Sequence, residues 1–186
     1  LREYEMKNMV RSAILSHKNL DSTLAYRLAQ KLSTSDMRES VLNKLIMEAY
    51  EANEDLIERA CLDIIAVRDR DPACHRFIDP LLYYKGFIAV QSYRVGSFLN
   101  HEGYLDLSYF LQMRSSEVFG VDIHPNAHIG NGIMIDHAHS IVIGETAIVG
   151  RNVSMLHSVT LGGTGKDKGD RHPKIGDGVL LGAGAS

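Results

Sequence analysis

Apolar side chains recur along this chain with two different periods, and the change falls near residue 120. Before it they follow helical spacing. Leu24, Leu28 and Leu32 form one stripe; Val41, Leu42, Leu45, Ile46 and Ala49 a second; Leu56, Ile57, Ala60, Cys61, Ile64 and Ile65 a third. Steps of three and four place such residues on one helix face. Asp21 is the expected cap of the first helix. Asp36-Met37-Arg38-Glu39 has capping-box spacing for the second, and Asn53 suits the third. After Pro80 the stretch Leu82 to Leu99 is apolar almost all round, which predicts a buried helix, and Tyr104 to Phe119 reads as a last one.

Beyond residue 120 the period is six. Steps of six from Ile123 reach Ile129, Ile135, Ile141, Ala147, Val153 and Val159. Ten residues, Gly165 to Lys174, interrupt the pattern, and it resumes at Ile175 and Leu181. A helix would need about 3.6 residues per turn. Hexads instead predict short strands separated by bends, with roughly 18 residues closing one triangular coil of a parallel β-helix. The first residue of each hexad then points inward, and these residues stack as one column. The interruption becomes a loop at a corner, where rigid scaffolds often carry binding groups. The flat sides of such a prism can pack against copies of themselves.

Composition sharpens the same boundary. All 8 Tyr and all 5 Phe precede it, the last being Phe119, whereas 12 of the 16 Gly and 6 of the 9 His follow it. The core of the second part must therefore be aliphatic. We expect a helical domain over 1–120 and a β-helix over 121–186. With 45% hydrophobic and 23% charged residues, the chain can bury a core without staples. A net charge of -3 and the lack of a basic stripe argue against a nucleic-acid partner. No apolar run approaches the roughly 20 residues of a membrane span. Leu1 to Asn19 is charged throughout, without the apolar centre of a signal peptide. Two cysteines, Cys61 and Cys74, make no disulfide framework, so a reducing cytoplasm is the expected compartment.

The hexad region also carries candidate chemistry. Imidazole is the usual base near neutral pH. His137 is expected in mid-strand, and Asp122 precedes it by 15 residues, which in an 18-residue coil places them near one side. They read either as a base with an orienting carboxylate or as a surface imidazole beside an unrelated acid. Arg68-Asp69-Arg70-Asp71-Pro72 reads as a solvated turn between helices, with Asp71 as a cap, and Tyr83-Tyr84-Lys85 as packing.

Several words of the sequence occur in a specific order: Asp122-Ile123-His124-Pro125, Gly132-Ile133-Met134-Ile135-Asp136-His137-Ala138, Gly144-Glu145-Thr146-Ala147, Ser158 through Lys166, and Gly169-Asp170-Arg171-His172-Pro173-Lys174-Ile175. With Arg68 through Ala73 and Tyr84-Lys85-Gly86-Phe87, they make the chain resemble the serine O-acetyltransferases among the hexapeptide-repeat acyltransferases. The resemblance implies an α+β chain, an all-α N-terminal domain followed by a left-handed parallel β-helix that is short at its C-terminus. It implies acetyl transfer from acetyl-CoA to the L-serine hydroxyl, giving O-acetyl-L-serine for cysteine synthesis, with no metal required. It assigns His137 as general base and Asp122 as its partner. Asp71, Asp136, Arg171 and His172 would bind serine, and Gly163 and Ala183 would line the CoA groove. It further implies a homotrimer or dimer of trimers, L-cysteine as inhibitor at the serine site, and O-acetylserine sulfhydrylase as partner only where a C-terminal tail is present. The family continues past the position of Ser186 with further coils that complete the CoA site. His139 and His157 depart from the family pattern and read as neutral variation. Three alternatives stand beside this reading: a sugar O-acetyltransferase, a zinc hydratase of the γ-carbonic anhydrase type using His124, His128, His137 and His139, and a non-catalytic scaffold.

Overall fold

The computed structural model describes residues 3–165 and 169–186; Lys166, Asp167 and Lys168 of the expected corner loop lie outside them. After short helical turns that include α1 (Met6–Val10), the helical part comprises α2 (Leu20–Leu32), α3 (Glu39–Ala52), α4 (Asp55–Arg70), α5 (Asp79–Tyr83), α6 (Lys85–His101) and α7 (Leu105–Phe119). Leu24, Leu28, Leu32, Leu42 and Ile46 are buried as their stripes require, while Val41, Cys61 and Ile65 are exposed.

The caps differ from expectation at two starts. Asn19, not Asp21, caps α2 in a reciprocal box with Ser22, because an Asn19 side chain held in extended backbone reaches the Ser22 N–H at 3.1 Å. Asp36 caps nothing: Thr34 closes its own turn by accepting from the Met37 N–H at 3.0 Å, and α3 starts later, at Glu39. Asn53 does serve α4, accepting from the Asp55 N–H at 3.1 Å. The apolar stretch after Pro80 breaks at Tyr84, whose extended backbone separates α5 from α6. From Gly86 to Gly96 every residue of α6 is buried.

The second part is a left-handed β-helix. Its strands are β1 (Val121–Ile123), β2 (His128–Ile129), β3 (Met134–Ile135), β4 (Ile141–Ile143), β5 (Ile148–Val149), β6 (Ser154–Met155), β7 (Thr160–Leu161), β8 (Lys174–Ile175) and β9 (Leu180–Leu181). They form three parallel sheets, β1-β4-β7, β2-β5-β8 and β3-β6-β9. Every residue from Ile123 to Val159 on the six-residue steps is buried, but the steps do not make one column. Ile123 pairs with Ile143, twenty positions on, and Val121 with Ile141. Val142 then pairs with Thr160, eighteen on, and Val149 with Ile175, twenty-six on. The first coil thus holds two extra residues, between β3 and β4, and the third holds eight, between β7 and β8. From β1 to β7 each strand region buries two positions rather than one, so a shift of two residues moves the count from one inward column to the other and leaves the apolar pattern intact.

The two parts meet through α4, α6 and α7. Asp63 on α4, with no exposed surface, binds the Arg94 guanidinium of α6 through both oxygens, at 2.8 and 3.0 Å. The same carboxylate accepts from Gln91 at 2.9 Å and from the Ile133 N–H of the first coil at 2.8 Å. Arg94 also donates to the carbonyl of Gly130 at 2.8 Å. A buried charge so fully bonded avoids the penalty an unpaired one would carry. At the start of α6, Gly86 lies so close to β3 that an added Cβ would sit 2.1 Å from the Ile135 carbonyl oxygen.

Candidate active site

His137 is not in mid-strand. The two extra residues of the first coil make the corner between β3 and β4, and His137, Ala138 and Ser140 there have positive φ of 59°, 46° and 56°. Non-glycine residues adopt that region at a cost of about 1–3 kcal/mol each, and such strain clusters at functional sites. The corner is held from below by the Ser158 N–H on the His139 carbonyl at 2.7 Å. It is wedged from the side by fully buried Ala138 against α6.

The His137 ring projects outward. Its Nε2 lies 3.3 Å from Asp136 Oδ2, whose other oxygen accepts from the His137 backbone N–H at 2.8 Å. Asp71, Asp136 and His137 line one cavity of about 580 Å³, together with Tyr83, Tyr84, Lys85 and Gly86. Asp71 is the C-cap of α4, and its Oδ1 accepts from the Ala73 N–H at 2.8 Å. The Asp71 side chain thus lines the cavity at the corner of its own chain's β-helix; of the expected charged turn, Arg68 to Arg70 are instead the end of α4, and Asp71 alone reaches the cavity. Tyr84 and Lys85, expected as packing, line the same cavity. Burial, with the Asp71 carboxylate beside it, pushes the Tyr84 hydroxyl up to about 12. Burial likewise raises the Cys74 thiol, which suits packing against Val67 and Met134 rather than nucleophilic work. Lys85 Nζ sits 3.4 Å from His139 Nδ1, and the His157 ring meets that of His137 edge-on at 5.9 Å.

A second set gathers at the next corner. Arg171 Nη2 donates to Glu145 at 2.9 Å, and this bond holds the Glu145 carboxyl below its ordinary range. Thr146 Oγ1 accepts from the Arg171 N–H at 3.1 Å, so its own proton is free for His172 Nδ1 at 2.7 Å. The Thr146 N–H also donates to that Nδ1, at 3.1 Å, which leaves the ring proton on Nε2. The ring fits only because Gly144 and Gly163 lack side chains: a Cβ at Gly144 would lie 2.0 Å from it, and one at Gly163 would lie 2.7 Å from the Arg171 carbonyl oxygen.

Within one chain these two sets are separate. Asp122 lies on β1, and its Oδ1 accepts from Gln112 of α7 at 2.8 Å. Among the described residues His137 forms its ion pair with Asp136, and no ion pair joins Asp122 to His137. Ala183 lies on the His137 edge, where the Gly184 N–H donates to the His157 carbonyl at 3.0 Å, while Gly163 lies on the Arg171 edge. His124, His128, His137 and His139 do not converge, and no group of three or more metal-binding side chains is found among the described residues. Nor is any helix long and apolar enough to cross a membrane among them. Sequence reasoning missed Glu145 and Thr146 as supports of Arg171 and His172; the word Gly144-Glu145-Thr146 was the signal.

Fold and corners together define a hexapeptide-repeat β-helix protein with an imidazole–carboxylate site. A family model described as the N-terminal part of serine acetyltransferase matches residues 1–92. The serine acetyltransferase of Escherichia coli is 53% identical over 174 residues, which cover 94% of this chain and 64% of that protein. The crystal structure of the Neisseria gonorrhoeae serine acetyltransferase in complex with serine is similar with a TM-score of 0.94 at 47% identity, covering 98% of this chain and 74% of that one. A serine acetyltransferase in complex with cysteine gives a TM-score of 0.95 at 49% identity, covering 98% and 76%. The chain belongs to the serine acetyltransferase family. It spans about 64% of the length of the curated E. coli relative.

Proposed function

We propose that this chain carries the catalytic body of a serine O-acetyltransferase, moving acetyl from acetyl-CoA to the hydroxyl of L-serine. The observation that carries the reading is the meeting of Asp71, Asp136 and His137 in one cavity from points far apart in the sequence. A serine hydroxyl is a weak nucleophile until a base takes its proton as it attacks. His137 takes that proton as the oxygen adds to the thioester carbonyl. The imidazolium returns it to the departing sulfur, so O-acetyl-L-serine and CoA leave and the ring is neutral again. Asp136 orients and steadies the imidazolium. Asp71 and Asp136 face the substrate's ammonium group.

The substrate carboxylate requires donors; the Arg171 guanidinium supplies a cationic one and the His172 Nε2–H a neutral one. They stand at another corner, as does Asp122 with respect to His137. A copy of the chain packed side to side would bring the Arg171 corner and Asp122 of one prism to the His137 corner of the next. The proposal therefore includes a homotrimer, or a dimer of trimers. The pantetheine arm of acetyl-CoA then runs along the same groove, past Ala183 on one wall and Gly163 on the other. L-cysteine, sharing the zwitterion of serine, inhibits by occupying its place. A cytoplasmic setting, where acetyl-CoA and free serine meet, completes the reading, and docking to O-acetylserine sulfhydrylase would need a C-terminal tail.

The test is CoA thiol release from acetyl-CoA across a panel of amino acids and sugars. Release with L-serine alone, suppressed by L-cysteine, is the expected result. Release with galactosides would assign a sugar acetyltransferase, and no release with any acceptor would leave a scaffold.

A further inference from the structure

We infer that Arg70 is a positioning residue for the substrate's ammonium group, holding the carboxylate of Asp71 in place at the mouth of the His137 cavity. The inference rests on the serine-transfer reading above. Asp71 follows the last helical residue of α4, and its N–H makes the final helical bond, to the Val67 carbonyl at 3.0 Å. Helix ends fray unless their last turn is tied down. Arg70 supplies that tie across two coils. Its Nη2 donates to the Gly132 carbonyl of the first coil. Its Nη1 donates to the Asn152 carbonyl at 3.0 Å and to Ser154 Oγ at 2.8 Å on the second. Its Nε returns to the Ala66 carbonyl of its own helix at 3.3 Å.

All four acceptors are neutral oxygens. Among the described residues Arg70 has no carboxylate partner, so the guanidinium is used for its fork geometry rather than for an ion pair. Asp63 lies seven positions earlier, on the same face of α4, and grips the adjacent Ile133 N–H. The two side chains seat α4 on the Gly132-Ile133 backbone, and the chain leaves that seat directly into Asp71. Past it, Asp71 accepts from Ala73 through Oδ1 and from Cys74 through its carbonyl, so the turn has little freedom of its own. The placement of the Asp71 carboxylate, beside the Tyr84 hydroxyl, relative to Asp136 is therefore set at Arg70. A lysine keeps the charge but lacks the planar fork that spans these oxygens.

The experiment compares L-serine with 3-hydroxypropanoate, which lacks the ammonium group, in the thiol-release assay on the full chain. Arg70→Lys is expected to raise the KM for L-serine about tenfold while leaving the acetyl-CoA KM within about twofold. It should lower the kcat/KM preference for L-serine over 3-hydroxypropanoate by the same tenfold. Asp71→Asn added to it should cost less than about threefold more, because both act on one contact. Ser154→Ala removes one acceptor without touching charge, and should shift the same preference in the same direction by a few-fold. A lowered melting temperature with an unchanged preference in Arg70→Lys would mean a structural role alone and overturn the inference. Full additivity with Asp71→Asn would do the same. Should Arg70→Lys not fold, Ser154→Ala decides, and an unchanged preference there also overturns it. Failure of the unaltered chain to acetylate L-serine would defeat the serine reading itself and this inference with it. That outcome is seen before any variant is compared.

Discussion

The imidazole of His137 meets the carboxylate of its own chain neighbour, Asp136, at 3.3 Å, and the bend that lets two adjacent side chains face each other is a run of left-handed backbone. Asp122, fifteen residues earlier, is turned to Gln112 instead. The imidazole is thus oriented locally, by its own neighbour in the chain. We expect His137→Ala to lower the rate of acetyl transfer by about 10²–10⁴-fold with the assembly unchanged in size-exclusion chromatography. Turnover at the level of the unaltered chain would reject its role as base.

Arg171 is held by Glu145 on one side and the Gly169 carbonyl on another. It is an anchored donor, so its removal should affect binding more than the chemical step. A charge-assisted hydrogen bond contributes about 1.5–3 kcal/mol, so Arg171→Ala should raise the KM for L-serine roughly ten- to a hundredfold with a smaller change in kcat. Glu145→Gln should act in the same direction and more weakly. An unchanged KM would count against the assignment.

Two glycines of α6 offer a matched pair. A Cβ at Gly86 would lie 2.1 Å from the Ile135 carbonyl oxygen, whereas the nearest atom to one at Gly96 is 3.7 Å away. Gly86→Ala must push α6 off the His137 corner, at a cost of about 1–3 kcal/mol and with loss of transfer. Gly96→Ala has room and gains helix propensity, so it should keep activity and leave the melting temperature equal or slightly raised. Equal behaviour of the two variants would contradict the close seating of α6.

His124 gives the fold a pH dependence of calculable sign. Its Nδ1 accepts the Asn126 N–H at 3.1 Å, and burial holds the ring below its ordinary value of 6.5. The folded chain then binds fewer protons than the unfolded one, so stability present above 6.5 is lost as pH falls from there through the lower folded value. The Glu145 contribution, its carboxyl held low by Arg171, is lost only in more acid solution, below the ordinary 4.5. Urea midpoints at about pH 7.5 and about pH 5.5 should differ less in His124→Asn than in the unaltered chain. An undiminished difference would show that other groups carry it.

The helices and the coils were legible because burial imposes period on sequence, and Leu24 or Val153 could hardly sit elsewhere. The register was not. A two-residue surplus at residues 137–140 preserves an apolar pattern with two inward positions per strand, so a count from Ile123 passes from one column to the other without a visible break. Caps were legible only to within a residue or two, since Asn19 and Asp21 both have oxygens to offer and the backbone conformation decides. The clustering of polar side chains around His137 and around Arg171 was readable as words. Their separation onto different edges of one prism was not, because it depends on that same register.

A solenoid wound only from minimal coils would be a featureless rod, its edges straight and its faces closed. Here the surplus residues fall at two places, and those places hold His137 on one side and Arg171 with His172 on the other. Trimming either corner back to the shortest turn would spare the winding and remove these side chains together. The winding and the corner side chains can accordingly drift apart under mutation, one guarded by the metre of the strands and the other by where the metre is broken.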